Sequence, residues 1–177
     1  MPVNSGVVST QPDNINFLSP LGFRFSLKRL PTVNFFVVEA QMPSVSMGTA
    51  NLPTPFKNVP LPGDKIEFGT FSLTFKVDEE MLNYKELYNW MTGLTFPNNF
   101  EQYGVLRRAG KTTDGSIVSD GTLTVLNSAM KPNLDIYFED MFPVSISPLN
   151  FTVTDTTVIH VNATVDFKFN NFIITAL

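Results

Sequence analysis

The sequence predicts a mainly β, α+β fold: an antiparallel β-sandwich or barrel with one flanking α-helix over about residues 78–92. Three observations carry this. From Ile159 to Phe169 every odd position is apolar and every even position is polar, the period-two signature of a strand with one face in a core and one face wet. Between Leu61 and Leu94 the pattern changes from alternation (Phe71, Leu73, Phe75, Val77) to helical spacing at Asp78, so a strand feeds directly into an amphipathic helix. Further short alternating segments are separated by Gly, Pro and Asp-Gly turn signals, with no internal repeat.

Taken in order, residues 1–20 are polar, carry Pro2, Pro12 and Pro20 and lack periodicity; they are expected to form an extended arm before a single domain over 21–177. Phe23, Phe25 and Leu27 alternate within a strand over Gly22–Leu30. Thr32–Met42, with its run Phe35-Phe36-Val37-Val38, reads as a strand wet on neither side in its middle. Val45–Val59 is broken by Pro53 and Pro55 and followed by Pro60. Proline cannot donate to a ladder, so this piece is edge-like, a loop, or a strand completed by another chain. Pro62-Gly63-Asp64 is expected to turn, and Gly69 to mark a bulge or bend.

The helix is expected to start at Asp78 as N-cap, with Glu79 and Glu80 in its first turn. Met81, Tyr84, Leu87, Tyr88 and Met91 form its apolar stripe, Trp90 sits at the margin, and Gly93 ends it. Residues 95–121 are polar and rich in turn signals. Gly121–Asn127 and Leu134–Phe138 read as strands, Phe142-Pro143 leads into Val144 and Ile146, and the Ile159–Phe169 strand closes the pattern. At 3.3 Å per residue that last strand would span about 30 Å, a length typical of a barrel or of a sheet continuing between subunits.

Composition narrows the function. Hydrophobic residues make up 43% of the 177 residues, but charged residues only 16%, with 17 Phe and 13 Pro. A chain so poor in charge and rich in aromatics has apolar surface to cover, which favours an oligomer. The net charge of −4 and the absence of a Lys/Arg run argue against a clamp on nucleic acid. With no cysteine, disulfides and thiolate chemistry are absent. The N-terminus has no signal-peptide pattern, and no stretch approaches the roughly 18 apolar residues of a membrane helix. A protein made and folded in a cytoplasm, without membrane contact, is the expectation.

Candidate chemistry is sparse. The single histidine, His160, falls on the polar face of the last strand, and one histidine without cysteine cannot build a nitrogen–sulfur metal site. The carboxylates of Asp78-Glu79-Glu80 are explained by helix capping, and Glu139-Asp140 by a solvated turn at a strand end. Gly104, Gly110 and Gly115 lack the Lys-Ser/Thr that would follow in a phosphate loop. No catalytic, metal or cofactor residue is expected. A Phe-rich barrel holding an apolar ligand is the rival reading; it predicts a stable monomer with a closed cavity.

One family has this order of features: Ala40-Gln41-Met42-Pro43-Ser44-Val45 opening a proline-rich hairpin, then Pro62-Gly63-Asp64 before an alternating strand. Asp78-Glu79 opening a helix with Tyr84 and Trp90 comes next, and then Phe142-Pro143 and a long alternating strand. Over Phe23 to Phe172 the chain resembles the tail tube proteins of contractile-tailed bacteriophages, which are related to type VI secretion tube and baseplate tube-initiator proteins. Each motif is commonplace alone; their shared order carries the resemblance.

The resemblance implies a non-enzymatic virion protein of the tail, assembled in the host cytoplasm without cofactors. Six copies would form a ring whose strands merge into one barrel, and rings would stack into a conduit for DNA, which passes without specific binding. Tail sheath and baseplate proteins are the implied partners. Val45, Met47, Leu52, Pro53, Pro55, Phe56 and Val59 are the expected interface side chains, on a hairpin completed by the adjacent ring. The proline-rich arm and the turn-rich 100–121 region depart from the family pattern and leave two places open: the repeating tube, or a ring at the baseplate or tail terminus.

Overall fold

Strand β7 (Pro132–Ile146) organises the molecule, because its two halves belong to different sheets. A computed structural model describes residues 17–18, 22–95, 101–109, 117–152 and 160–177. The first half of β7 lies between β6 (Ser119–Leu126) and β9 (Asn171–Ala176), and β6 in turn pairs with β1 (Phe23–Leu27). The second half pairs with β8 (Asn162–Lys168), followed by β5 (Phe71–Lys76) and β2 (Val37–Gln41). Every pairing is antiparallel. The fold is therefore the mainly β, α+β sandwich expected.

A bulge re-aims β7 between the sheets. Ser119 faces Met141 and Gly121 faces Phe138, so Glu139 and Asp140 together oppose Asp120, and Asp140 has φ 54°. The extra residue bends the strand and increases its twist. Glu139-Asp140 is thus a mid-strand bulge and not the turn at a strand end that its polarity predicts.

The core lies between the two sheets. Phe25, Leu27, Leu123, Ile136 and Phe138 come from one layer; Phe71, Leu73, Phe75, Val165 and Phe167 come from the other. Phe71 is fully buried, with its ring centroid 5.4 Å from Phe25 and 4.8 Å from Phe138. Such offset and tilted aromatic pairs add about 0.5–1.5 kcal/mol each beyond area burial. Alternation in β5 and β8 places these rings inward and Ser72, Thr74, Thr164 and Asp166 outward.

Helix α2 (Leu82–Thr95) inserts Leu87 and Trp90 into the same core. It starts four residues later than expected. Met81 adopts φ 55°, which breaks the helical run, and Asp78 caps from beyond it, accepting from the N–H groups of Leu82 at 3.1 Å and Asn83 at 3.2 Å. The buried stripe is Asn83, Leu87, Trp90 and Gly93, so Trp90 is central and Tyr88, 54% exposed, lies outside it. Gly93 is buried within the helix instead of ending it.

Other expectations change. Thr32–Met42 is not one strand: α1 (Pro31–Phe35), with Pro31 pre-set for a first helical turn, precedes β2. Phe35 is 84% exposed and Val38 48% exposed, while Val37 packs against the core, so the apolar run is only partly covered among the described residues. Residues 101–109 form α3 (Glu101–Ala109), where only turns were expected. The Leu134–Phe138 and Val144–Ile146 pieces are one strand, with Pro143 seated in a half of β7 that pairs on one side only. The strict alternating strand begins at Asn162, is followed by a bend at Asn170, and gives way to β9, which was not expected. Its first residue, Ile159, and most of the 1–20 arm lie outside the described residues.

Candidate assembly interface

Strands β3 (Val45–Pro53) and β4 (Asn58–Phe68) form a two-stranded ribbon that pairs with no other described strand. Its tip is held by Thr54. The Thr54 N–H donates to the Lys57 carbonyl oxygen at 3.1 Å, and the Thr54 hydroxyl accepts from the Lys57 N–H at 3.2 Å. At the base the Gly69 N–H donates to the Ser44 carbonyl oxygen at 2.8 Å. A Cβ on Gly69 would lie 2.5 Å from Ser44 Oγ and 3.1 Å from the Ser44 nitrogen, so a larger residue there would have to displace the Ser44 side chain. Phe68 roots the ribbon in the core, with its ring 5.7 Å from Phe169 and 5.3 Å from Phe172.

Pro62-Gly63-Asp64 is not a turn. Met47 faces Ile66 and Thr49 faces Pro62, so Gly63, Asp64 and Lys65 oppose Gly48 alone in a bulge inside β4. A Cβ on Gly63 would lie 2.4 Å from the Gly48 carbonyl oxygen, which makes glycine obligatory there. The chain reverses instead at Pro55-Phe56, between Thr54 and Lys57.

All seven expected interface residues fall on this one ribbon: Val45, Met47, Leu52 and Pro53 on β3, Pro55 and Phe56 at the tip, and Val59 on β4. Val59 is half-buried and the others are exposed, Phe56 almost completely. Leu61 and Ile66 belong to the same exposed apolar set, as do Ile173, Ile174 and Leu177 at the C-terminal end. Sequence reasoning missed all five. The only signal for the last three was the apolar run after Asn171, which does not alternate. Strands β1, β2 and β9 each pair on one side only among the described residues, leaving free edges.

Polar side chains link neighbouring strands. Lys28 and Asp120 pair at 2.8 Å, and the Lys28 hydrogen bond holds the Asp120 carboxyl below the usual carboxylate range. Asp166 accepts hydroxyl hydrogen bonds from Ser145 at 2.6 Å and from Ser72, which lower its pKa by favouring the charged form. A carboxylate stabilised in that way is a weak proton acceptor, so this cluster does not make a general base. His160 is exposed. Among the described residues no group of three His, Cys, Asp or Glu could hold a metal, and no helix is long and apolar enough to cross a membrane.

This architecture is the fold of contractile-system tube and cap proteins. The anti-feeding prophage tube-terminating cap matches with a TM-score of 0.64 at 11% identity, covering 97% of this chain and 99% of the cap chain. The sheath–tube complex of the extracellular contractile injection system PVC matches at 0.56 and 13% identity, over 100% of both chains. The anti-feeding prophage baseplate matches at 0.57 and 12% identity, over 86% of this chain and 90% of the other. At these identities the likeness is one of fold. The chain belongs to the phage tail tube protein family, whose model matches residues 8–175. No curated protein matches the sequence. Membership makes this a structural protein of the phage tail tube.

Proposed function

We propose that the chain is the repeating subunit of a tail tube, closing into rings of six that stack into a conduit for DNA ejection. The observation that carries this reading is the β3–β4 ribbon: two strands bonded only to each other, with Val45, Met47, Leu52, Leu61 and Ile66 all more than 40% exposed. An isolated two-stranded ribbon is marginal in water, so one this apolar needs a neighbour to cover it. The free edges of β1, β2 and β9 supply main-chain donors and acceptors for merging sheets between copies. A net charge of −4 suits a passage that does not retain nucleic acid. The 1–20 arm would add ring-to-ring contact to the 21–177 domain, and sheath and baseplate proteins would meet the finished tube. The protein acts by association and carries out no reaction.

A second reading, a ring of the same fold that starts or caps the tube, draws on the higher TM-score to the terminating cap, 0.64 against 0.56. Electron microscopy and mass measurement of the purified protein test both. Stacked rings are expected for the repeating subunit. A lone ring that never stacks selects the second reading, and a strict monomer at high concentration in several buffers sinks both.

A further inference from the structure

The outer edge of β1 is filled at its last rung by a side chain. In an antiparallel pair, residues that bond to the partner strand alternate with residues whose main-chain groups point to the opposite edge. Gly22 accepts from the Leu126 N–H, and Lys28 donates to the Asp120 carbonyl oxygen. With the register of the pair, this turns Gly22, Arg24, Ser26 and Lys28 toward β6. Phe23, Phe25 and Leu27 therefore turn their N–H and C=O groups to the outer edge. At Leu27 both groups are taken by one residue of α1. The Leu27 N–H donates to Asn34 Oδ1 at 2.9 Å, and Asn34 Nδ2 donates to the Leu27 carbonyl oxygen at 3.2 Å. These are the two bonds that a residue of a joining strand would make there. A primary amide can replace it because it carries an acceptor oxygen and a donor nitrogen on one carbon.

We propose that Asn34 is an edge guard: it closes β1 to strand addition by other chains, leaving only the Phe23 and Phe25 rungs without a strand partner among the described residues. Two rungs are fewer than a stable added strand needs. The guard is held on an anchored support. Val33, next to Asn34, is fully buried, and the Thr32 hydroxyl donates to the Glu86 carboxylate of α2. Charge is the other common defence of a sheet edge, lysine above all, and β1 carries it in exposed Arg24 and Lys28. The other two free edges are less defended: β9 has no charged residue and β2 only Glu39. Strand pairing is thereby directed away from β1 and toward β2 and β9. That direction matters for the tube reading above, but the guard itself does not depend on it, since an open edge endangers a monomer as much as a ring.

Asn34→Ala in the full chain removes both bonds, and circular dichroism checks that the fold is kept. If that variant does not fold, Asn34→Ser, whose hydroxyl cannot make both bonds, replaces it. Hydrogen exchange at the Leu27 amide should become faster by about tenfold or more. Sedimentation and thioflavin binding then read strand addition: the Asn34 variant should form irregular, thioflavin-positive aggregates that the parent does not. Thr32→Val loosens α1 from α2 but leaves the Asn34 bonds, and should behave like the parent. An Asn34 variant as free of aggregates as the parent overturns the guard. Equal aggregation of Thr32→Val also overturns it, because a loosened helix would then be the cause. A parent protein that stays monomeric refutes the tube reading, while the same two variants still decide the guard.

Discussion

The Trp90 indole N–H donates to the main-chain carbonyl oxygen of Ile117 at 2.9 Å, which ties the core helix to the entry of β6 across 27 positions of sequence. The same ring lies 6.3 Å from Phe167 and under the Arg29 guanidinium at 5.2 Å. One side chain thus joins α2 to both sheets.

Trp90→Phe keeps much of the packing and leaves the Ile117 carbonyl without this donor, at a cost of about 1–3 kcal/mol. Trp90→Ala also opens a cavity and should cost about 3–5 kcal/mol. As Trp90 is the only tryptophan, urea unfolding is followed by circular dichroism. A Trp90→Phe protein as stable as the parent would refute the role given to the N–H.

The start of α2 depends on two polar side chains. Asn83, fully buried, donates to the Lys76 carbonyl at 2.8 Å and accepts from the Tyr84 N–H at 2.8 Å. Asn83→Leu should therefore destabilise by about 1–3 kcal/mol despite its added apolar area. Asp78→Ala, which removes the acceptor for Leu82 and Asn83, should cost about 0.5–2 kcal/mol. Thermal melts of both variants check the order.

Acid should act through Asp166. Its folded pKa lies below the unfolded value near 3.8 because Ser145 and Ser72 donate to the charged carboxylate. The resulting stability is present above that value and fades as pH falls through the folded pKa. Asp166→Asn should be less stable than the parent at pH 7 by about 1 kcal/mol. The gap should narrow from about pH 4 downward. Stability curves of the two proteins measured from pH 7 to pH 2 decide it; a gap that stays constant would exclude the carboxylate as the cause.

Gly63→Ala should block assembly while sparing the core. The new Cβ would meet the Gly48 carbonyl oxygen at 2.4 Å, so the ribbon must open at its bulge. Thermal unfolding of the dispersed protein should move little, because the bulge lies five residues from Phe68, where the ribbon joins the core. The fraction of protein in sedimenting assemblies should fall sharply.

Where one face met the core and the other met water, alternation was legible, so β5 and β8 were placed closely by Phe71, Leu73, Phe75, Val165 and Phe167. The prolines of Val45–Val59 marked the ribbon because they signal a strand that no sheet interior accepts. What misled was context that lies outside any short window. Pro62-Gly63 has the chemistry of a turn, yet close approach to Gly48 fixes it as a bulge. The Asp140 bulge split β7 into two apparent strands. Helix α3 lies between turn signals at Pro97-Asn98-Asn99 and Ala109-Gly110, which hid it. Strand β9 reads as an apolar stretch without alternation, and Trp90 faces inward because the core takes the helix face of Asn83, Leu87 and Gly93 instead of the Tyr84–Tyr88–Met91 face.

The shared strand β7 has a mechanical meaning. Two separate sheets packed through side chains alone can shear past one another when loaded from opposite sides. Here a single covalent backbone runs from one sheet into the other through the Asp140 bend. A pull on β9 is carried along β7 into β8 and β5, and the layers must move together or break ladder hydrogen bonds on both sides at once.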